Sequence, residues 1–272
     1  MSIDLDAYFD RIGYAGDRKP TLAVLRELHR LHPQAIPFEN LDPLLKRPVL
    51  LDPASLEAKL VQAGRGGYCF EQNLLFAQVL RALGFKVQEA TARVRWSVPP
   101  GVTTPRVHAV LFVEAEGDKY LADVGFGGNV ATGPLLMSSC DEQATPHEPF
   151  RLVEEEGRVV VEAKLGGAWA SLYAFDFAET HVPDYELGNW FTSAHPGSIF
   201  VNGLMAARAD TDRRYAFKNN QLSIHKLAGG TEKQTLRTGP ELRDALSDLL
   251  RIRLPDDPAL EPALARLADM PA

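Results

Sequence analysis

The chain has 272 residues, 45% of them apolar and 24% charged, and its formal net charge is −7. This composition is ordinary for a globular protein large enough for two domains, and without a basic stripe the negative charge argues against a nucleic-acid partner. No apolar run approaches the ~20 residues of a membrane span, and the acidic start MSIDLDAYFD has no signal-peptide pattern. We therefore expect a cytoplasmic location and no membrane partner.

Residues 1–84 are predicted to be helical. Thr21–Leu31 has leucines at helical spacing, which indicates an amphipathic helix. An extended segment follows that contains Pro37-Phe38-Glu39-Asn40-Leu41. Asp52-Pro53 then combines an N-cap residue with proline at the first helical position, so another helix is predicted to begin there.

The most informative stretch is RGGYCFEQN, residues 65–73, which contains one of only two cysteines. Gly66-Gly67 predicts a tight turn, since glycine reaches φ > 0 at little cost. The run Phe70–Leu83 is apolar on nearly all faces, which is typical of a buried helix, and Gly84 predicts its end. Cys69 then lies at the N-terminal end of that helix, where the dipole favours a thiolate. The alternative interpretation is an unreactive thiol that packs as a small apolar residue.

From residue 85 to about residue 176 the pattern changes to alternating or short apolar runs with glycine at several turns, which is typical of strands. Consecutive strands with no helix between them favour an antiparallel sheet or a small barrel. The predicted strands are Lys86–Trp96, Arg106–Val113, Tyr120–Val124, Phe150–Glu154, Arg158–Lys164 and Trp169–Phe175.

The last part of the chain is predicted to mix strands and helices. A loop-rich segment over residues 181–197 comes first. Helices are predicted to begin at Pro240 and at Asp257-Pro258. The predicted strands are Ser198–Ala207, Arg214–Phe217, Leu222–Lys226 and Lys233–Arg237.

A cysteine nucleophile needs a base and a third group that orients the base. His108 lies in a strand that is apolar on both faces, where an imidazole is costly to bury without partners, and the same holds for the carboxylate of Asp123. His29 and His32 lie at the end of a predicted helix and are predicted to be surface residues or partners of its C-terminal dipole. The other histidines are in predicted loops or a polar strand, at His147, His181, His195 and His225.

Hairpin geometry can bring His108 and Asp123 together. If Val113 and Asp118 close a four-residue loop, the two side chains lie directly opposite each other, with Cβ atoms ~4.5–5.5 Å apart. A two-residue shift in register makes them diagonal neighbours, and a one-residue shift puts them on opposite faces. Cys69, His108 and Asp123 are therefore our candidate catalytic triad, in which Asp123 orients His108 and His108 moves the thiol proton. The alternative is a hydrogen-bonded core pair without a catalytic role.

Residue spacing does not support other kinds of site. No group of cysteines and histidines has the spacing of metal ligands, so no metal site is predicted. The segment Gly125-Phe126-Gly127-Gly128 lacks the Lys and Ser/Thr of a phosphate loop. Without a secretion signal both cysteines are predicted to be free thiols, and Cys140 has no base near it in the sequence and is predicted to take no part in the site.

Several motifs occur in one order along most of the chain: PFENL at 37–41, RGGYCFEQN at 65–73, the strand that bears His108, DVGFG at 123–127 and WFTSAHP at 190–196. In these motifs the chain resembles the bacterial arylamine N-acetyltransferases. The resemblance implies an α+β fold with a transglutaminase- or papain-like Cys-His-Asp core. The implied domains are a helical bundle that carries the cysteine (1–84), an antiparallel β-barrel that carries the histidine and aspartate (85–185), and an α/β lid (186–272).

The same resemblance implies acetyl transfer from acetyl-CoA to the nitrogen of an arylamine or arylhydrazine. The implied mechanism is ping-pong, through a thioester on Cys69, with His108 as general base and acid. Acetyl-CoA is then a co-substrate, and no cofactor is expected to be bound permanently.

The resemblance also implies roles for residues outside the triad. Arg65 and Glu39 are implied to form a structural, bidentate ion pair. Backbone amides near Cys69 and Phe70 are candidate oxyanion donors, and CoA is implied to bind between barrel and lid, with Gly127-Gly128 and Thr103-Thr104 as candidate contacts. The residues implied to line the pocket for the aromatic acceptor are Phe38, Val94, Phe126 and Phe200.

Two other functions stay open from the sequence. A cysteine hydrolase of the transglutaminase or papain type uses the same order of Cys, His and Asp or Asn, and would turn over amides without CoA. A non-catalytic binding module would keep the scaffold, and Cys69 and Cys140 would then react slowly and alike with alkylating agents. The sequence determines neither the acceptor amine nor whether the chain forms a homo-oligomer.

Overall fold

The N-terminal part of the chain is helical, as predicted. The structure is a computed structural model that describes residues 3–99 and 101–271. Within these residues no helix is long and apolar enough to cross a membrane. The helices of the first part are α1 (Leu5–Ile12), α2 (Leu22–Ala35), α3 (Leu41–Leu44), α4 (Pro53–Leu56), which continues as a π-helix over Glu57–Gln62, and α5 (Cys69–Ala82).

A seven-stranded antiparallel sheet follows, in the order β5-β4-β3-β2-β8-β7-β6. It is barrel-like, and with the helices around it the predicted α+β fold class is confirmed. The six predicted strands of this part are present, with ends that differ by a few residues, and the short strand β5 was not predicted. The strands are β2 (Lys86–Val94), β3 (Arg106–Ala115), β4 (Asp118–Ala122), β5 (Leu135–Leu136), β6 (Phe150–Glu155), β7 (Arg158–Leu165) and β8 (Ala168–Phe175).

The third part contains a second antiparallel sheet, in the order β1-β9-β10-β11-β12. Its edge strand, β1 (Phe38–Glu39), comes from the first part of the chain, so the PFENL segment joins the two parts. The remaining elements are α6 (Val182–Ala194), α7 (Ile199–Asn202), β9 (Met205–Ala209), β10 (Arg213–Lys218), β11 (Gln221–Lys226), β12 (Thr231–Thr235), α8 (Gly239–Asp244), which continues as a π-helix over Ala245–Leu249, and α9 (Leu260–Ala268).

Two predictions for this part were wrong. The predicted loop at 181–197 is mostly helix α6, and the predicted strand Ser198–Ala207 is helix α7 followed by β9. Proline, glycine and asparagine made the first segment look irregular, but the proline lies in the first turn of α6, where its missing N–H costs nothing. The division of the chain into 1–84, 85–185 and 186–272 stays a prediction; its second boundary falls inside α6, and residues 1, 2, 100 and 272 lie outside the described residues.

The hairpin between β3 and β4 has a different register from the predicted one. Ala115 pairs with Asp118, so the loop has two residues, Glu116 and Gly117, rather than four. Both have positive φ, 55° and 92°, as a type I′ turn requires. The register is therefore shifted by two residues, and His108 and Asp123 become diagonal neighbours on the same face rather than directly opposed residues.

Two histidines of α2 are buried, which corrects the predicted surface position of His29 and His32. The His32 Nδ1 atom is 2.8 Å from the hydroxyl of Tyr8, and Nε2 is 2.6 Å from the Oε1 atom of Gln72. Burial lowers the pKa of His29 to about 4 and that of His32 to about 3. Both rings are therefore neutral core residues at neutral pH, and helical periodicity did not reveal this because histidine is compatible with either face.

We expect this burial to make folding sensitive to acid. A buried neutral histidine is protonated in the unfolded chain at about pH 6.5 but in the folded protein only near its lowered pKa, so stability is lost as the pH falls between those values. For His32 the loss between about pH 7 and about pH 5 is about 2 kcal/mol. Urea unfolding of the protein and of a His32→Gln variant at both pH values checks this, and the variant should lose less stability.

The control for this prediction is Tyr8→Phe, which removes a hydrogen bond to His32 but leaves the titrating ring in place. It should lower the free energy of unfolding at both pH values and keep the pH dependence of the unchanged protein. Equal pH dependence in the His32→Gln variant and the unchanged protein would contradict the prediction.

Helix α6 packs closely on the first turn of α5 through Gly188. A Cβ atom at this position would lie 2.6 Å from the Phe70 Cζ atom and 3.3 Å from the carbonyl oxygen of Arg106. Glycine thus costs helix propensity but lets α6 approach α5 and β3. This contact holds α6 over the part of the molecule that contains Cys69.

Gly188→Ala is therefore expected to destabilise the protein. In an open helix the change would raise the free energy of unfolding by about 1 kcal/mol, but crowding against Phe70 should reverse the sign and cost about 1–3 kcal/mol. Urea unfolding measures the difference, with Glu186→Ala on the exposed face of α6 as control. A stabilised Gly188→Ala variant would show that α6 does not pack this closely.

Candidate active site

Cys69 is the first residue of α5 and is only 5% exposed. The Glu71 side chain accepts the backbone N–H of Tyr68 at 3.0 Å, which closes the start of the helix. The Cys69 Sγ atom lies 3.6 Å from the carbonyl oxygen of Val107. The thiol therefore lies at the N-terminal end of a buried helix, as the sequence predicted.

The strand that carries His108 is bulged beside this thiol. Ala92 pairs with His108 and Arg93 with Arg106, so Val107 is an extra residue in β3. A bulge re-aims the side chains and carbonyls around it and is common next to active sites. Here it directs the Val107 carbonyl towards the Cys69 thiol.

His108 and Asp123 form a buried pair. The His108 Nε2 atom is 2.7 Å from the Asp123 Oδ2 atom, and each residue is 2% exposed. Burial alone would lower the pKa of His108, but the charge and hydrogen bond of Asp123 outweigh burial and raise it to about 10, with a further contribution from the nearby Cys69. Burial raises and His108 lowers the pKa of Asp123, with a net lowering. At neutral pH the pair is therefore imidazolium and carboxylate, with the thiol beside it.

Asp123 has further partners that the sequence did not reveal. Its Oδ1 atom accepts hydrogen bonds from the side chain of Asn73 and the backbone N–H of Gly125, both at 2.9 Å. Its own backbone N–H donates to the Nε2 atom of His29 at 3.1 Å. A signal for Asn73 was present, because it lies four residues after Cys69 and so on the same side of the helix. No sequence signal pointed to His29.

Glycines around Cys69 allow close approach of backbone segments. A Cβ on Gly66 would lie 2.1 Å from the Pro37 carbonyl oxygen, and one on Gly125 would lie 2.7 Å from the Cys69 Cα atom. Neither Gly66 nor Gly67 has positive φ, so the predicted reason for the Gly-Gly pair was wrong. The pair is needed because a side chain has no room there.

Arg65 and Glu39 are in contact, but not in the predicted two-oxygen geometry. The Arg65 Nε and Nη2 atoms both approach Glu39 Oε1, at 2.9 and 2.7 Å, because Oε2 accepts the Leu41 backbone N–H at 2.6 Å. Arg65 also contacts Asp42 at 3.2 Å. The Lys59 Nζ atom continues the network, at 2.6 Å from both Asp42 and Glu71.

The residues predicted to bind the acceptor have different neighbours in the structure. Phe38 and Phe200 pack edge to face, with ring centroids 5.9 Å apart, in the same apolar cluster as Cys69. The Phe126 ring lies 5.0 Å from the His108 ring. Val94 is on β2, where it pairs with Tyr173 of β8.

Tyr173 is an aromatic neighbour that was not predicted from the sequence. Its ring centroid lies 4.7 Å from that of His108 and 5.0 Å from that of Phe126. Burial, and then the charge of Asp123, raise the pKa of its hydroxyl well above the usual value. The imidazole is therefore flanked by two aromatic rings, and a predicted strand gave no reason to choose Tyr173 among its apolar residues.

Candidate CoA contacts lie near this cluster. Gly127-Gly128 forms a 3₁₀ turn, and a Cβ on Gly127 would lie 3.5 Å from the Phe38 ring. The Thr104 hydroxyl donates to the Val94 carbonyl at 2.7 Å, and Thr103 is exposed. A separate cleft of about 610 Å³ is lined by α2 and the β4–β5 edge and does not include Cys69.

Two further expectations concern metals and the second cysteine. Among residues 3–99 and 101–271, no group of three or more His, Cys, Asp or Glu side chains could hold a metal ion. Cys140 is exposed, and both cysteines are free.

Comparisons with known proteins show the family to which the chain belongs. The family model described as N-acetyltransferase matches residues 21–259. An arylamine N-acetyltransferase of Mycobacterium tuberculosis strain H37Rv is 43% identical over 260 residues, which cover 94% of this chain and 92% of that protein.

Solved structures give the same result. The arylamine N-acetyltransferase structure from M. tuberculosis has a TM-score of 0.93 at 41% identity and covers 96% of this chain and 100% of that chain. The Mycobacterium marinum arylamine N-acetyltransferase, solved in complex with CoA, has a TM-score of 0.92 at 40% identity and covers 98% of both chains. The chain described here belongs to the arylamine N-acetyltransferase family.

Proposed function

We propose that this protein transfers the acetyl group of acetyl-CoA to the nitrogen of arylamines or arylhydrazines through a thioester on Cys69. The observation that carries the proposal is the buried thiol at the start of α5, beside the His108–Asp123 pair. The relative solved in complex with CoA supports acetyl-CoA as the donor. A cytoplasmic location remains a prediction from the sequence.

The first half-reaction loads the enzyme. With His108 protonated, the Cys69 sulfur is favoured as a thiolate and attacks the acetyl carbonyl carbon of acetyl-CoA. The carbonyl electrons move to oxygen, where backbone N–H groups of Cys69 and Phe70 in the first turn of α5 are available as donors. When the intermediate collapses, the carbon–sulfur bond to CoA breaks, and CoA leaves after taking a proton from His108. Cys69 then carries the acetyl group, and His108 is neutral.

The second half-reaction uses His108 as a base. The amine nitrogen attacks the thioester carbonyl and gives its proton to His108, and the Cys69 thiolate leaves. Asp123 stabilises the imidazolium that forms and keeps Nε2 occupied, so that Nδ1 is left for the reacting atoms. The cycle ends with the same thiolate and imidazolium with which it began.

The aromatic side chains favour a flat, apolar acceptor. Phe38 and Phe200 lie on the Cys69 side, and Phe126 lies against the imidazole, with Val94 next to Tyr173 in the sheet. Aromatic pairs contribute about 0.5–1.5 kcal/mol beyond the area that they bury. We propose that an aryl ring packs among these side chains while its nitrogen approaches the acetyl carbon. The Arg65–Glu39 pair lies behind this pocket, and we propose a structural role for it.

Incubation with acetyl-CoA in the absence of an amine should place one acetyl group on Cys69. Peptide mapping by mass spectrometry checks this, with Cys140→Ser expected to be acetylated normally and Cys69→Ala not at all. His108→Ala should slow acetylation by at least about 100-fold, since general acid–base groups contribute about 10²–10⁴. Acetylation at Cys140, or equal acetylation without His108, would exclude this mechanism, and amide hydrolysis without CoA would favour a cysteine hydrolase.

Phe126→Leu should weaken acceptor binding more than donor chemistry. Loss of the ring contact is expected to raise KM for an arylamine about tenfold, which corresponds to about 1.4 kcal/mol. The rate at which acetyl-CoA acetylates Cys69 should change little. Steady-state kinetics with aniline give KM, and a quenched time course of Cys69 acetylation without amine gives the rate of the donor step. Phe177→Leu, at an exposed phenylalanine, is the control. A KM equal to that of the control would place the acceptor elsewhere.

A further inference from the structure

Asn73 has a place in the site that the proposed mechanism does not use. It is fully buried in α5, four residues after Cys69. Its Nδ2 atom donates to the Asp123 Oδ1 atom at 2.9 Å and to the Ala109 carbonyl at 2.7 Å. Its Oδ1 atom accepts the backbone N–H of Val124 at 3.0 Å. One carboxamide thus connects the helix of the nucleophile, the strand that carries His108 and the segment that carries Asp123.

These contacts fix which end of the amide faces which partner. Both Nδ2 hydrogens point to oxygen acceptors, and Oδ1 receives an N–H donor. A flipped amide would set oxygen against oxygen at Asp123 and N–H against N–H at Val124. An aspartate of the same shape would place a second carboxylate beside Asp123 in a buried site, where like charges repel strongly.

The amide also decides how the Asp123 carboxylate is shared. Its Oδ1 atom is held by Asn73 and Gly125, which leaves Oδ2 for His108. The space is tight, since a Cβ on Gly125 would lie 3.0 Å from the Asn73 Nδ2 atom and 2.7 Å from the Cys69 Cα atom. Without Asn73 the carboxylate would lose a buried donor and could rotate away from the imidazole.

We propose that Asn73 is a positioning residue for acyl transfer: it ties Asp123 to the helix of Cys69, so that imidazole and thiol stay aligned. Only the expected effect on acetyl transfer rests on the proposed function. The alignment of Cys69, His108 and Asp123 can be measured without acetyl-CoA, by alkylation of the thiol. The proposal adds to the triad one residue, which acts through Asp123 and does not itself touch the reacting atoms.

A matched control lies next to Asn73 in the same helix. Gln72 is equally buried, and its amide donates to the carbonyls of Pro37 and Gly67 and contacts His32. None of these contacts is with Asp123 or His108. Gln72→Glu and Gln72→Leu therefore disturb a buried amide of α5 to a similar degree without removing a partner of the triad.

The experiment compares Asn73→Asp and Asn73→Leu with the two Gln72 variants, all in a Cys140→Ser background. The readout is the rate of iodoacetamide alkylation of Cys69 as a function of pH in the folded protein. The Asn73 variants should need a higher pH, by about one unit, for half-maximal alkylation, because a misplaced Asp123 stabilises the imidazolium less. Acetyl transfer should fall about 10–100-fold in kcat, with KM for the amine little changed.

An alkylation profile of either Asn73 variant that matches that of the unchanged protein overturns the proposal, because Asn73→Leu removes the donors without adding a charge and Asn73→Asp keeps the shape but adds a carboxylate beside Asp123. Equal shifts in the Asn73 and Gln72 variants also overturn it, since they would indicate general loosening of the helix. If the Asn73 variants shift the pH profile of Cys69 alkylation but the unchanged protein does not transfer acetyl groups, the proposed function is wrong and the positioning role of Asn73 stands.

If the Asn73 variants do not fold, the proposal can still be tested by a measurement on the Asn73 side chain itself. In the ¹⁵N NMR spectrum of the Cys140→Ser protein, the Asn73 side-chain NH₂ signals should move on carboxymethylation of Cys69 and with the titration of the His108–Asp123 pair. The Gln72 NH₂ signals should move much less. Asn73 signals that are insensitive to both changes would overturn the proposal.

Discussion

The buried contact between His108 and Asp123 is the interaction on which the site depends. A carboxylate and an imidazolium that are both nearly inaccessible to water are tolerated only if each charge has partners. For the Asp123 carboxylate the chain supplies donors from separate elements, Asn73 of α5 and the Gly125 backbone in the turn after β4. His29 of α2 accepts the backbone N–H of Asp123 and so holds the segment that carries the carboxylate. Because these partners come from different elements, the triad is aligned only when the helices and the sheet have packed together.

A second set of buried charges contacts the first turn of α5. The carboxylates of Glu39, Asp42 and Glu71 share the cations of Lys59 and Arg65. Glu71 in turn accepts the Tyr68 N–H, so the network determines where α5 begins and hence where the Cys69 sulfur lies. Buried networks of this kind are weak evidence for stability, since the desolvation of each ion is costly. Their role here is geometric, because they hold the first turn of α5 against the PFENL segment.

Much of the site could be predicted from the sequence, and the limits have physical reasons. Cys69, His108 and Asp123 were identifiable because a thiol at a helix start is readily ionised and polar side chains in apolar strands must find partners. The hairpin register was missed by two residues, because Glu116-Gly117 was not recognised as a two-residue turn, but a shift of two keeps side chains on the same face. His29 could not be identified, since its partner is a backbone N–H 94 positions away. Helix α6 was missed because a glycine disfavours the prediction of a helix. Gly188 is present because α6 packs against Phe70, and that contact is visible only in the fold.

The PFENL segment shows how neighbouring residues can serve different parts of one site. Phe38 lies beside Phe200 in the cluster around Cys69, and Glu39 holds Arg65. Asn40 donates to the carbonyls of Phe200 and Gly203, at 2.8 and 2.7 Å, and accepts the Met205 N–H at 2.7 Å. Its amide therefore fixes where α7 ends and β9 begins, and with them the position of the Phe200 ring. The third part of the chain thus reaches the thiol because β1 and Asn40 bind it to a segment of the first, and substitutions at Asn40 should act on the pocket through Phe200 rather than through the triad.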